Sequence, residues 1–270
     1  MNALARGLAV LEILVHGGTD MGISELARAA KMDKSTAYRL VSTLVSAGYV
    51  VQDGETKKYR PTSRLVALGS MVLARIDIRE TARPFLTRLV ELTGHTAHLA
   101  ALAEGRWREV VYLDQAMRSS AATLVNIRVG RIAPSHCSAT GKAILAFLPE
   151  EQRSQMEGEL AAYTPRTITS MPALRLHLEA VRALGYAVDD QEYREGLRCV
   201  AAPVRNHTGQ VVASLGLSGP AMEVKLEDVP RLARLVVEQA DDLSRALGYA
   251  PWSPRDSSTL APSGWGQGTG

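Results

Sequence analysis

Cysteine is almost absent from this sequence: Cys137 and Cys199 are the only two in 270 residues. Two thiols make no disulfide framework, so the fold must hold through its core. No run of about 18 or more apolar residues occurs, and no helical membrane span is expected. Residues 1–6 show no positive start leading into an apolar block and cleavage site. A secretory signal is therefore not expected, and the cytosol is the expected compartment. The chain also lacks a P-loop and a Gly-x-Gly-x-x-Gly opening a helix, which leaves a nucleotide cofactor, or any cofactor, without support.

The net charge of +3 hides an asymmetry. Residues 1–75 hold ten of the 31 Lys and Arg but only six of the 28 Asp and Glu, leaving 21 and 22 for the rest. A basic N-terminal segment suggests a polyanion as partner.

Leu4, Leu8, Leu11 and Val15 recur at helical spacing until Gly17-Gly18 stops them. A second helix is expected with Ser24 as its N-cap and Ile23, Leu26, Ala27 and Ala30 on one face. Asp33 is placed to cap a third, with Ala37, Leu40, Val41 and Leu44 inward and Gly48 past its end. Two short helices joined by a tight turn describe a helix-turn-helix. The outer face of the third carries Lys34, Ser35, Thr36, Tyr38, Arg39 and Thr43, side chains that reach phosphates and base edges in a major groove. A solvated surface would look similar, but it would have no reason to run on into a basic hairpin. Tyr49–Val51 and Lys58–Arg60 read as strands joined at Asp53-Gly54, a hairpin tipped by Lys57 and Lys58. A basic wing beside a recognition helix lies along the phosphate backbone.

Pro61 ends the wing, and Thr62 or Ser63 can cap a helix running to about Arg75. Its apolar residues fall on two faces, Leu65, Leu68, Gly69 and Val72 on one and Val66 and Leu73 on the other. That is more than one small domain buries, so a dimer contact is expected. Beyond it, helices are expected at Ile78–Thr93, Ser138–Phe147, 150–161, Pro172–Gly185 and Leu226–Leu247. Strands are expected at Thr96–Ala103, Val110–Asp114, Thr123–Val129, Tyr186–Val188, Val200–Val204 and Val211–Leu217. Tight turns between strands, with helices grouped between them, give an α+β class with an antiparallel sheet.

Several segments in order resemble the IclR family of bacterial regulators, over about residues 4–248. They are Ile23–Ala27, Lys34–Leu40, Ser135–Ala143, Tyr163–Thr167, Asp189–Tyr193, Gly196–Val204 and Leu217–Pro220. The resemblance implies a winged helix-turn-helix at 1–61, a linker helix at 62–77 and a GAF-like effector-binding domain at 78–248. It also implies double-stranded operator DNA as partner, homodimers that often pair into tetramers, and ligands that are commonly small organic acids.

Ser138-Ala139-Thr140-Gly141-Lys142 opens a helix, where free backbone N–H groups and the helix dipole favour an anion. Ser138 and Thr140 add hydroxyls there, and Gly141 clears the approach; alternatively Ser138 only caps and Gly141 only packs. The resemblance assigns effector contacts to the positions of Ala139, Thr140, Asp189, Leu197, Cys199 and Ser218. It also marks a departure: Gly216 stands where related members can place a serine. Loss of that side chain is expected to enlarge the pocket toward a bulkier or less polar acid, an aromatic acid being one candidate.

Competing readings are a hydrolase-like enzyme using Cys199 with His136 and Asp189, and a metal or redox site drawn from His95, His98, His136 and the cysteines. Nothing in the sequence brings these groups together. The expectation is a DNA-binding regulator without catalysis, bound metal or membrane contact. Residues 249–270, rich in Pro, Ser, Thr and Gly, are expected to be disordered.

Overall fold

The computed structural model describes residues 2–73, 77–103, 106–117 and 129–250. The chain divides into two compact units, the second beginning at Asp77.

The first unit runs α1 (Ala3–His16), α2 (Ile23–Ala29), α3 (Lys34–Ser46), β1 (Val50–Gln52), β2 (Tyr59–Pro61) and α4 (Ser63–Leu73). Its core gathers Val10, Leu14, Leu26, Val41, Val50 and Tyr59. Two details depart from the sequence pattern. In α1, Leu4, Leu8 and Val15 stay at least half exposed, while Val10 and Leu14 are buried. The helix has two apolar rows, and periodicity alone cannot say which one meets α3. At α2 the cap is Gly22, not Ser24; Glu25 Oε2 accepts the Gly22 N–H at 2.7 Å, closing the turn from inside the helix. The cap at Asp33 is as expected: its carboxylate accepts from the Thr36 N–H at 2.8 Å. For α4 the capping choice falls on Thr62, whose hydroxyl also donates to the Gly48 carbonyl at 2.6 Å.

The second unit runs α5 (Ile78–Thr93), β3 (Thr96–Ala103), β4 (Arg106–Ala116), β5 (Ile132–Pro134), α6 (Ala139–Leu145), α7 (Glu150–Ser154), α8 (Met171–Leu184), β6 (Ala187–Asp190), β7 (Leu197–Arg205), β8 (Val211–Pro220) and α9 (Val229–Ala246). The strands form one antiparallel sheet in the order β5-β4-β3-β8-β7-β6. Strand side chains alternate between faces. On one face Ala100, Tyr112, Ala187 and Ala201 join a core with α6 and α8. The alternate positions, among them Leu99, Val200, Ala202 and Leu215, are also fully buried, and α5 and α9 pack against β3 and β7.

The helix expected over 150–161 stops at Ser154. The Arg108 guanidinium takes the carbonyls of Glu157 and Glu159, and Gly158 between them has φ +101°, a conformation that an α-helix does not admit. The strand β5 was not anticipated, because three residues carry no readable alternation. The strand expected at Thr123–Val129 falls, except for Val129, outside the described residues. So do the last turn expected of the linker helix and nearly all of the tail.

Arg198 of β7 fastens the far end of the sheet. Its guanidinium pairs with Asp190 of β6 and donates to the carbonyls of Ala221 and Val224, with its side chain 7% exposed. Arg198→Ala strands those buried acceptors, and the expected loss is about 2–3 kcal/mol of unfolding free energy. Urea denaturation of the full chain checks it; an unchanged midpoint would refute it.

Candidate functional site

Two surfaces collect the residues singled out by sequence. The first is the outer face of α3. Lys34, Ser35, Tyr38, Arg39 and Thr43 are exposed, and Thr36 is half-buried. Not all are equally available. The Ser35 hydroxyl donates to Asp33, and the Thr43 hydroxyl donates back to the Arg39 carbonyl at 3.0 Å. These two serve the helix first, which leaves Lys34, Tyr38 and Arg39 as the long side chains reaching outward. Hydrogen bonds from Ser35 and then Thr36 hold the Asp33 carboxyl well below the usual carboxylate range. The wing comes directly after. β1 and β2 pair with Val51 opposite Arg60, and Asp53 organises the turn by accepting the N–H groups of Glu55 and Thr56. Lys57, held at φ +56°, and Lys58 are both exposed at its tip.

The second is a cavity of about 580 Å³, open solvent at its mouth included, on the α6 face of the sheet. Six of the nine expected effector residues line it: Ser138, Ala139, Thr140, Asp189, Leu197 and Cys199. They come from two elements far apart in sequence. The start of α6 supplies one wall, and β6, β7 and the turn joining them supply the other.

Buried charge joins the two segments that carry these residues. Lys142 of α6 is wholly buried and pairs with Glu192, itself nearly buried in the β6–β7 turn. Asp189 Oδ1 accepts the N–H groups of Glu192 at 2.7 Å and Tyr193 at 3.3 Å. Burial, opposed by Lys142, lifts the Asp189 carboxyl to about 7. Burial raises Glu192 as well. The Tyr163–Thr167 segment clasps this turn from outside: Thr164 and Thr167 hydroxyls donate to the carbonyls of Gln191 and Glu192 at 2.8 and 2.6 Å. Arg166 pairs with Asp190. That segment positions one wall of the cavity.

Three expected contacts are placed differently. Gly141 does not line the cavity. A Cβ there would stand 2.2 Å from the Ser135 carbonyl oxygen, so the glycine lets α6 close onto the preceding loop. Gly216 does not enlarge the cavity. A Cβ there would stand 2.7 Å from the Val200 carbonyl and 2.8 Å from the Ala201 methyl, so strand packing already fills that space. Ser218 is fully buried and lies behind His98, to whose Nε2 it is hydrogen-bonded. Ser138 lines the wall, but its hydroxyl is committed, donating to the Pro134 carbonyl at 2.7 Å and accepting from the Gly141 N–H at 3.2 Å. The seven-residue α6 is thus anchored at its start by its own cap.

The sequence reading missed His98, Tyr112, Arg131, Tyr193 and Arg194, all of which line the cavity. His98 and Tyr112 sit on strands whose alternation was legible, but strand pairing decides which face meets α6. Of the residues in the enzyme reading, Cys199 stands opposite Asp189 in the β6–β7 pair and both line the cavity, whereas His136 is not among the lining residues. His136 Nε2 bonds the Ala161 carbonyl at 3.0 Å, and burial pushes both the Cys137 and Cys199 thiols up, away from the reactive thiolate. Among the described residues no three His, Cys, Asp or Glu side chains are grouped to hold a metal ion, and no helix is long and apolar enough to cross a membrane.

Comparison with known proteins agrees with this division. Residues 3–54 match the model of the IclR helix-turn-helix domain, and residues 70–245 match that of the bacterial transcriptional regulator IclR C-terminal domain. The HTH-type transcriptional regulator XynR of Escherichia coli is 36% identical over 251 residues, 92% of this chain and 98% of its own. A solved putative IclR transcriptional regulator from Silicibacter superposes with a TM-score of 0.82 at 27% identity, covering 94% of this chain and 99% of that one. An IclR homolog from Microbacterium hydrocarbonoxydans, solved in complex with 4-hydroxybenzoate, superposes with a TM-score of 0.56 at 28% identity, covering 91% and 99%.

Because Asp189 holds its proton in the folded chain up to about pH 7 and in the unfolded chain only to about 3.8, the folded state carries the extra proton between those values. Stability should therefore fall as pH rises from about 4 to 7. Asp189→Asn should flatten that slope in urea titrations at stepped pH. An equally steep slope in the variant would show that Asp189 is not its source.

Proposed function

The chain belongs to the IclR family of bacterial transcriptional regulators, and on that premise we propose how its two surfaces work. The first unit reads operator DNA through the exposed face of α3, with Lys34, Tyr38 and Arg39 as its long contacts and Ser35, Thr36 and Thr43 close to the backbone. Lys57 and Lys58 of the wing hold phosphates. The second unit binds a small organic acid between α6 and the β6–β7 turn, and the acid sets how tightly the protein holds its operator. The protein acts by binding, without catalysis.

The observation that carries the effector reading is the cavity itself. Thr140, Asp189, Leu197 and Cys199 arrive there from separate segments and face one space, with Arg131 and Arg194 at the same walls. The apolar share of that wall, from Tyr112, Tyr193, Leu197 and Leu217, suits a planar ring. The complex of the Microbacterium relative with 4-hydroxybenzoate supports an aromatic acid as the class. That support replaces the expectation built on Gly216. A retained proton on Asp189 spares an incoming carboxylate the repulsion of a second anion.

Homodimers fit the surfaces of the first unit. Leu4 and Leu8 on α1 and Val66 and Met71 on α4 are more than half exposed, apolar area that a second copy would cover. Two such dimers pairing is the tetrameric alternative.

Fluorescence anisotropy on DNA from upstream of the protein's own gene tests both halves. Arg39→Ala should abolish preference for that DNA over random duplex while leaving acid binding intact; joint loss of both would contradict the division of labour. Neutralising Lys57 and Lys58 should weaken all duplexes alike and lower the salt slope by about one for each phosphate no longer neutralised. Benzoate and 4-hydroxybenzoate should shift operator affinity more than acetate or pyruvate does. If a two-carbon acid binds tightest in calorimetry and the aromatic acids do not bind, the aromatic reading is sunk.

A further inference from the structure

Among the described residues, His98 Nδ1 is a buried polar atom at the cavity with no hydrogen-bond partner. His98 is 2% exposed and lines the cavity. Buried polar atoms are satisfied in the great majority of cases, and an orphan in a cavity wall points to a ligand or water that completes it. Everything else about the imidazole is fixed. It projects from β3 opposite Gly216 of β8, on the sheet face shared with Ser218 and Cys199. Nε2 is bound to the Ser218 hydroxyl, and the ring meets Tyr112 edge-on at 5.6 Å between centroids. Burial holds the ring neutral, with its pKa brought down to about 3.

We propose that His98 is a specificity-determining contact of this cavity: a neutral imidazole, pinned at Nε2 by Ser218, that offers Nδ1 to an oxygen of the bound acid. The proposal rests on the small-acid reading of the same cavity and adds the residue that would read the ligand's polar end. A neutral imidazole has one N–H donor and one acceptor nitrogen, and the hydroxyl at Nε2 can take either role. When Ser218 donates to Nε2, Nδ1 carries the hydrogen and donates to a carboxylate or carbonyl oxygen. When Nε2 donates to Ser218, Nδ1 accepts from a ligand hydroxyl. The contact therefore tolerates either kind of oxygen and disfavours a methyl or ring C–H, which would leave Nδ1 desolvated and unpaired. It also gives Ser218 a role, although that residue does not itself reach the cavity. The serine fixes the orientation of the ring that does.

The geometry of the amide side chains separates a ligand contact from a structural one. An asparagine at this position places its terminal amide near the site of Nδ1, and a glutamine near the site of Nε2. Isothermal calorimetry on the full chain, with 4-hydroxybenzoate and benzoate as probes, compares His98→Asn, His98→Gln and His98→Phe with the wild type. His98→Asn should stay within about threefold of the wild-type affinity, whereas His98→Gln and His98→Phe should lose about tenfold or more for the tighter acid. Thermal unfolding of each variant shows whether the fold is kept. Wild-type affinity in His98→Phe overturns the proposal. So does affinity kept by His98→Gln and lost by His98→Asn, which would mean that the ring only supports Ser218.

If neither acid binds the wild type, the small-acid reading fails on its own account. The imidazole is then judged on the ligand-free chain by its side-chain ¹⁵N shifts from pH 5 to 8. A neutral ring throughout, with Nδ1 not hydrogen-bonded to protein, upholds a contact waiting for a ligand. A ring that titrates near 6.5, or an Nδ1 bonded within the protein, overturns it.

Discussion

The cavity depends on one buried ion pair. Lys142 places an ammonium wholly out of solvent beneath α6, and Glu192 answers it from the β6–β7 turn. Removing two charges from water costs several kcal/mol per ion, recovered only where the geometry is good and the remaining polar atoms are bonded. The structure around the pair supplies that geometry. Asp189 fixes the turn by accepting two of its N–H groups, and Thr164 and Thr167 take its carbonyls from the other side. Gln191, at φ +60°, bends the chain between them. On the helix side, Gly141 removes the side chain that would keep α6 off Ser135, and Ser214 ties the Thr140 carbonyl to β8 at 2.9 Å. The two walls of the cavity are thus tied to each other by this pair and the hydrogen bonds around it.

This explains why part of the site was legible in the sequence and part was not. Ser135–Ala143 and Asp189–Tyr193 stand out as dense polar motifs, and they carry the residues that form the ion pair and part of the lining. Their roles were less legible. A glycine in a motif can clear a path for a ligand or for another stretch of backbone, and only the neighbouring chain decides. At both Gly141 and Gly216 the neighbour is backbone of the same unit. His98 was hidden for a related reason. Its place in β3 was readable from alternation, but not its strand partner, and the partner is what brings the ring beside Ser218.

The first unit was read more completely because its signals are local. A helix cap acts over three residues and a hairpin turn over four to six, so Asp33, Gly48 and Asp53 announce their structure to anyone reading in order. The failure in α1 obeys the same rule from the other side. Both of its apolar rows satisfy helical spacing, and choosing between them takes α3 and β2, which lie more than fifteen residues away in sequence. A fold legible within each element was illegible where two elements must meet.

The proposed carboxylic acid would be an unexpected guest for a cavity walled by Asp189 with Glu192 nearby, and the charge balance resolves this. Lys142 already neutralises Glu192, so the ligand's charge must be met by something else. Asp189, lifted by burial to about 7, holds a proton up to about neutral pH and can stand in the wall as a donor there. His98, kept neutral by the same burial, adds no charge of its own. On the proposed reading the site would select by hydrogen bonding and shape, with arginines at the same cavity to favour an anion. The proposed ligand would bridge α6 and the β6–β7 turn. It can alter DNA binding only so far as it prefers one spacing of those walls over another, because tight binding to both arrangements shifts nothing.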